Sequence, residues 1–196
     1  MQKLVVLTLL FLMLFLVGCM SDFPLNDPLK ESYTLIDQDS NTVNFPKSFS
    51  GSVIVAGFVF VNCPDICPLT THNMQAIQDS VNTLKMKGVE FVAITFDPKR
   101  DRPPVLKKYL ELREINEKNF RFLTGDSTIV SDMMKRFNIV YVSGDTTYTE
   151  DGDANYFYTH TDRITLLDQK GTILREYKGS TVNIGEVIND LKKLTD

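Results

Sequence analysis

The sequence has 196 residues, of which 43% are hydrophobic and 23% are charged, and this composition is typical of a globular domain with a buried core. The net charge of −4 at pH 7 argues against a nucleic-acid-binding protein, because no basic stripe is present to neutralise phosphates. The acidic balance indicates little beyond solubility, so the function has to come from motifs.

The N-terminus has the pattern of an export signal. Lys3 precedes an apolar run over 4–17, which is too short for a bilayer span of about twenty residues and suits the core of a signal peptide. The run ends in LVGC, which resembles a bacterial lipobox with Cys19 as the lipidated residue. We therefore predict a lipoprotein signal peptide over 1–18, with an uncleaved anchor as the alternative. In both cases the domain is exported and held at the membrane, facing outside the cytoplasm.

Residues 19–30 contain two prolines and no periodicity, so they are predicted to be a tether. The domain is predicted over 31–196. Its first element is a predicted hairpin, ESYTLIDQDSNTVNF at 31–45, with turn residues at its centre.

The rest of the domain alternates apolar β-rich runs with amphipathic helical patterns. Strands are predicted over 51–60, 89–97, 119–125, 163–168 and 172–179, and helices over 69–87, 101–114, 126–139 and 181–194. Asp126 or Ser127 is the expected N-cap of the third helix. This order predicts an α/β, thioredoxin-like fold, with a mixed sheet flanked by helices and an extra N-terminal hairpin.

One long segment, 142–160, differs from its surroundings. It contains two glycines and four carboxylates and no lysine or arginine, so it is predicted to be a long solvated loop. Loops of this length in a compact domain are usually functional or disordered.

Two cysteines, Cys63 and Cys67, lie between the end of a predicted buried strand and the start of the next helix. Open α/β sheets place their sites at this edge, and a helix N-terminus favours a thiolate. If Cys19 carries lipid, the other two form a closed set that could be a structural disulfide, a redox pair or metal ligands. A disulfide closing so small a loop would stabilise the fold little, so the structural role is the weakest of the three.

The chain has two histidines that could complete a metal site with two thiolates, which as soft ligands select Cu(I) or zinc. His72 lies about 140° around the predicted helix from Cys67, on a polar face, and is predicted to be solvated. His160 ends the acidic segment, and in a thioredoxin-like fold this junction approaches the cysteine loop. No proline follows Pro104, so the cis-proline of thioredoxins is absent. The site therefore indicates a metal rather than thioredoxin-type disulfide exchange.

These motifs together resemble the Sco/SenC family of copper-binding, thioredoxin-like assembly factors for cytochrome c oxidase. The matching elements cover nearly the whole exported domain: NCPDICP, FVAITFDPKRDRPPVLKKY, RFLTGD and YTHTDRITLLDQKG. The resemblance implies that Cys63, Cys67 and His160 bind one copper ion, with Asp97 as an outer-shell group. Asp97 could equally be a turn or cap residue. Asp65 could add negative charge beside the cation or cap the helix.

The resemblance also implies a metallochaperone, acting as a monomer, that delivers copper to the binuclear copper site of the cytochrome c oxidase subunit outside the membrane. The alternative is a thiol–disulfide oxidoreductase, with Cys63 and Cys67 as its catalytic pair, that keeps the copper-ligand cysteines of that subunit reduced. Both functions use the same two cysteines, so the resemblance does not separate them. Zinc also suits two cysteines, one histidine and a water molecule.

Overall fold

The fold is taken from a computed structural model, in which the structure describes residues 23–144, 146–148 and 154–195. The predicted signal peptide and Cys19 lie outside these residues, as does the first part of the predicted tether. Among the residues described, no helix is long and apolar enough to cross a membrane.

The described residues form an eight-stranded mixed sheet and two separate two-stranded sheets. The strands are β1 (Asp27–Pro28), β2 (Tyr33–Asp37), β3 (Thr42–Phe45), β4 (Val53–Val59), β5 (Val89–Thr95), β6 (Phe120–Thr124), β7 (Tyr141–Ser143), β8 (Thr147–Tyr148), β9 (Ala154–Asn155), β10 (Tyr158–His160), β11 (Ile164–Leu167) and β12 (Thr172–Tyr177). The large sheet has the order β1-β12-β11-β4-β5-β6-β2-β3, and β4, β5 and β6 are parallel to one another. The mixed sheet predicted from the sequence is therefore confirmed.

In the described part of the chain, four α-helices flank the sheet: α1 (Ile66–Thr83), α2 (Pro103–Leu112), α3 (Ser127–Arg136) and α4 (Ile184–Thr195). The carboxylate of Asp126 accepts hydrogen bonds from the backbone N–H groups of Thr128 and Ile129, so Asp126 is the N-cap of α3. Helix α1 packs on β4 and against α4, while α2 packs on β6 and α3 on β2.

The centre of the sheet is buried on both faces, because helices cover the parallel strands on either side. Every residue of β4 is buried, and β5 is buried at every position except Glu90. Gly57 in β4 allows α1 to approach closely, since a Cβ atom added at Gly57 would collide with the sulfur of Met74. The position of α1 on the sheet therefore depends on a strand residue without a side chain.

Strand register brings three distant parts of the chain to one edge of the sheet. Val59 in β4 pairs with Thr95 in β5, so the segments that follow both strands emerge side by side. Strand β11 runs antiparallel to β4, with Ile164 opposite Gly57, so the residues before β11 reach the same edge. This edge carries the cysteine loop and, four residues before Ile164, His160.

Two segments differ from the sequence-based expectation. Within the predicted tether, Asp27 and Pro28 form β1, which pairs with β12, and Asp27 forms an ion pair with Arg136 at 2.7 Å. The acidic segment 142–160 was expected to be a solvated loop, but its described ends form the β7–β10 and β8–β9 ladders. Cross-strand pairing therefore orders the residues next to His160.

Candidate metal centre

Cys63, Cys67 and His160 converge at the sheet edge defined by β4 and β5. One potential ligand atom from each residue lies within 4.8 Å of the other two, and Nε2 of His160 is 3.2 Å from Sγ of Cys67. Both cysteines are free thiols, with Cys63 half-buried and Cys67 1% exposed. Two sulfurs and one imidazole thus share a small space that opens to solvent on the side of Cys63.

The start of α1 explains how the two sulfurs meet. The helix begins at Ile66, three residues earlier than its apolar pattern predicts, so Cys67 lies in its first turn. The backbone N–H of Cys67 donates to Sγ of Cys63 at 3.4 Å. Asp65 occupies the N-cap position, but its side chain is exposed and makes no capping hydrogen bond. The Cys63 sulfur therefore accepts one of the free N–H groups that a capping oxygen normally accepts.

This arrangement gives the two cysteines opposite protonation states. The hydrogen bond from the Cys67 side chain is the largest of the contributions that together lower the pKa of Cys63 to about 4; the Cys67 backbone N–H adds to it, and burial opposes both. The same hydrogen bond, together with burial, raises the pKa of Cys67. At neutral pH the pair holds a thiolate at Cys63 and a thiol at Cys67, which act as acceptor and donor.

The imidazole of His160 is oriented by its own backbone neighbour. Nδ1 lies 2.9 Å from the carbonyl oxygen of Thr161, so Nδ1 carries the proton and donates to this carbonyl. Nε2 then presents its lone pair to the two sulfurs. Phe96 and Phe60 pack on the ring at centroid distances of 4.8 and 5.9 Å. His160 is therefore held in one tautomer and one orientation, as a metal ligand requires.

Asp97 lies at the end of β5, beside this cluster but outside it. It is 2% exposed, forms an ion pair with Arg100 and accepts a hydrogen bond from the Tyr156 hydroxyl at 3.1 Å. Its carbonyl oxygen accepts the N–H groups of Arg100 and Asp101, which closes the turn after β5. The carboxylate thus bonds to residues near the site, and the backbone has the turn role considered for it.

The sequence analysis did not identify the role of Asp101. Its carboxylate is 1% exposed and accepts hydrogen bonds from the Thr95 hydroxyl at 2.6 Å and from the Val61 N–H at 3.0 Å. Burial raises its pKa to about 6. Because Val61 begins the cysteine loop, Asp101 ties that loop to the turn after β5. The residue lies in the RDRPP stretch, but its burial depends on tertiary packing that local sequence does not show.

The two histidines lie in different environments. His72 is exposed on α1, as expected for a solvated residue, whereas His160 is partly buried among aromatic rings. Within the described part of the chain, His160 is the histidine that lies with the cysteines.

A sequence model of the SCO1/SenC family matches residues 22–196, which is most of the chain. The chain belongs to the SCO1/SenC family. The motifs that suggested this resemblance, including both cysteines and His160, all fall within the matched range.

Solved Sco structures support the same fold. A SCO1/SenC family lipoprotein from Bacillus anthracis is 28% identical, with a TM-score of 0.71, over 91% of this chain and 100% of that chain. BsSco is a member of the Sco family of cytochrome c oxidase assembly proteins, and a disulfide switch has been identified in it. It is 25% identical, with a TM-score of 0.69, over 89% of this chain and 96% of its own chain. Yeast Sco1 with copper bound is 25% identical, with a TM-score of 0.69, over 84% of this chain and 89% of the yeast chain. The predicted thioredoxin-like Sco fold is confirmed.

Proposed function

We propose that the protein binds one copper ion through Cys63, Cys67 and His160 and delivers it to the binuclear copper site of a cytochrome c oxidase subunit. The observation that carries this proposal is the convergence of the three ligand atoms within 4.8 Å. The copper-bound structure of a relative and the oxidase-assembly role of the family support it.

The donor set fits copper by its chemistry. Thiolates and an imidazole are soft and borderline ligands, which Cu(I) prefers over the oxygen ligands of hard cations. Cys63 is already a thiolate at neutral pH, so binding has to displace the thiol proton of Cys67 alone. Cys67 and His160 are fixed by α1 and by the Thr161 carbonyl, and little reorganisation is needed to accept the ion.

Titration with Cu(I) under reducing conditions tests this proposal. We expect one ion per protein in the wild type and in the matched control His72→Ala, which removes the exposed histidine. Cys63→Ala and Cys67→Ala should abolish the one-to-one complex. His160→Ala removes a ligand, so it should weaken the complex by more than about a hundredfold, which is the upper end of the cost of losing an outer-shell partner.

Equal Cu(I) affinity in the wild type and His160→Ala would contradict the three-ligand site. Metal analysis of the purified protein after competition between copper and zinc checks the choice of metal, with copper retained if the proposal is correct.

We also propose that the protein is exported and lipidated at Cys19, and that the lipid tethers the domain to the membrane. The domain is proposed to act as a monomer. The LVGC pattern at the end of a short apolar run supports lipidation, and a related protein is described as a lipoprotein. Labelled palmitate should be incorporated into the wild type and not into Cys19→Ser. A wild type without label, or equal labelling of Cys19→Ser, would contradict lipid anchoring at Cys19.

A second candidate function is thiol–disulfide exchange with the same oxidase subunit. The low pKa of Cys63 favours it, because a thiolate is the attacking species in exchange. Cys63 would attack a disulfide of the subunit and form a mixed disulfide, and one partner sulfur would leave as a thiolate. Cys67, after losing its proton, would then attack Cys63. The Cys63–Cys67 disulfide would form, and both partner cysteines would be reduced.

The two functions differ in their need for His160. If copper delivery is the function, His160→Ala should fail to restore oxidase activity in a deletion strain. If thiol reduction is sufficient, the same variant should restore activity nearly to the wild-type level, whereas Cys63→Ser should fail in both cases. Oxidase activity per cell, normalised to the level of the variant protein, is the measurement.

A further inference from the structure

The turn after β5 holds the segment before His160 through a closed set of contacts among Asp97, Arg100 and Tyr156, called here the Arg100 clamp. The Arg100 guanidinium forms an ion pair with the Asp97 carboxylate, and its Nη1 donates to the Tyr156 carbonyl oxygen at 3.1 Å. Its Cζ lies 3.6 Å from the centroid of the Tyr156 ring, and the Tyr156 hydroxyl donates to Asp97 at 3.1 Å. Each of the three side chains therefore contacts the other two.

The contacts suit an arginine at this position. The guanidinium is planar, so it can stack on a ring while its N–H groups donate in the plane to two different acceptors. Asp97 is 2% exposed and the Arg100 side chain is 23% exposed, so the ion pair is sheltered from most of the solvent. Charge-assisted hydrogen bonds in such sites are stronger than neutral ones. A lysine could keep the ion pair but not the stacked fork.

The clamp lies on a path of ring contacts that leads to His160. Tyr156, Tyr158 and His160 alternate along the chain, which puts their side chains on one face of an extended segment. The Tyr156 and Tyr158 rings are 5.4 Å apart, and Tyr158 packs edge-on against Phe60 at 5.2 Å. Phe60 in turn packs against His160 at 5.9 Å and precedes the cysteine loop.

Apart from the ring contacts of Tyr158 and His160 with Phe60, Phe96 and Tyr141, the strand that carries His160 is held to the domain mainly at its two ends. Strand β10 pairs with the three-residue strand β7 and, within the described chain, is not part of the large sheet. Its C-terminal end is fixed at Thr161, whose N–H donates to the Val140 carbonyl oxygen, and at Asp162, which accepts hydrogen bonds from Thr70 and Ser180. Its N-terminal end is attached to the rest of the domain through the Arg100 clamp.

We infer that Arg100 is a positioning residue for the metal site: it holds the His160 strand against the cysteine loop, so that Nε2 stays within reach of the two sulfurs. The copper measurement that tests this inference rests on the proposed function. A second measurement, made on the apoprotein, does not depend on copper. Arg100 touches neither cysteine sulfur nor the His160 ring in the contacts described, and its Cζ lies 5.8 Å from the centroid of Phe60, the ring that packs on His160. Its effect on the metal is therefore indirect, and a double-mutant cycle with His160 tests the route.

Copper affinity tests the inference through a double-mutant cycle. Arg100→Gln should lower Cu(I) affinity by about tenfold, the lower end of the cost of losing a direct partner of a metal ligand, because Arg100 acts through intervening residues. In a His160→Ala background the same change should alter affinity by no more than about twofold, because the histidine is no longer there to be positioned. Arg102→Gln is the matched control, since Arg102 lines the surface cleft that also contains Arg100 and Tyr156 but is exposed, and it should leave affinity unchanged.

Hydrogen exchange in the copper-free protein gives the second readout. Amides of residues 158–160 should exchange at least about tenfold faster in Arg100→Gln, while amides of β4 and β5 keep their wild-type rates. Tyr156→Phe removes the hydroxyl bond to Asp97 but keeps the ring and the carbonyl, so it should give a smaller increase. Unchanged core amides show that the variants fold.

The two proposals fail in different ways. Independent, additive losses from Arg100→Gln and His160→Ala, or unchanged exchange at 158–160, would overturn the positioning role while leaving the copper site intact. Wild-type affinity that does not depend on His160 would overturn the proposed ligand set. In that case the hydrogen exchange of the apoprotein still decides whether Arg100 holds the strand.

Discussion

Iodoacetamide should alkylate Cys63 of the reduced apoprotein at nearly the same rate at pH 6 and at pH 8. The pKa of Cys63 is lowered to about 4, so the thiolate is fully formed over this range and is lost only as the pH falls through about 4. A cysteine with the reference pKa of 9.0 would gain about a hundredfold in thiolate between the same two pH values. Cys67 should stay unmodified, because it is buried and protonated. Mass spectrometry of the cysteine peptides gives both rates.

Two substitutions at Cys67 separate the cause of the low pKa from simple exposure. The largest contribution is the hydrogen bond from the Cys67 side chain to the Cys63 sulfur. Cys67→Ser retains a hydroxyl donor, so the reactive thiolate should persist at pH 6. Cys67→Ala removes the donor and should move the midpoint of the alkylation profile upward. A wild-type rate that rises about a hundredfold between pH 6 and pH 8 would show that Cys63 is an ordinary thiol.

The convergence of Cys63, Cys67 and His160 could be predicted from the sequence, because strand topology determines which segments meet at one sheet edge. Parallel strands that follow one another in the chain end at the same edge of a sheet, so the residues after β4 and β5 had to be neighbours. The antiparallel β11 begins at that edge, which brings His160 to the cysteines across 93 positions. His72 could be rejected on helical geometry alone, and the structure leaves it exposed on α1.

The surroundings of the site could not be predicted in the same way, because they depend on long-range packing. Residues 156–160 alternate in burial but not in polarity, and the glycines and carboxylates before them suggested a loop. The β7–β10 ladder forms only once the sheet edge exists. The start of α1 at Ile66 depends on the Cys63 sulfur accepting an N–H group, which no propensity scale includes. The burial of Asp101 likewise requires the turn after β5 to fold over the cysteine loop.

The burial of the Asp101 carboxylate is expected to lower the stability of the protein at neutral pH. Asp101→Asn should make the apoprotein more stable than the wild type at pH 7 by about 3 kcal/mol, the free energy that corresponds to raising a carboxyl pKa from 3.8 to about 6. The native state binds the Asp101 proton more tightly than the unfolded chain does. The carboxyl therefore contributes no penalty below about pH 4, and the wild type loses stability as the pH rises from about 4 to about 6.

Asparagine is a suitable replacement because its carbonyl oxygen can accept the two hydrogen bonds that one oxygen of Asp101 now accepts, from Thr95 and Val61. Urea unfolding of both proteins between pH 4 and pH 7 measures the difference. Asp79→Asn removes one negative charge from an exposed position on α1. It should leave the pH dependence of stability unaltered, so it controls for the change in net charge. A difference between wild type and Asp101→Asn that stays constant with pH would mean that Asp101 titrates like a solvated carboxyl. Its hydrogen bonds to Thr95 and Val61 would then offset the full cost of burying its charge.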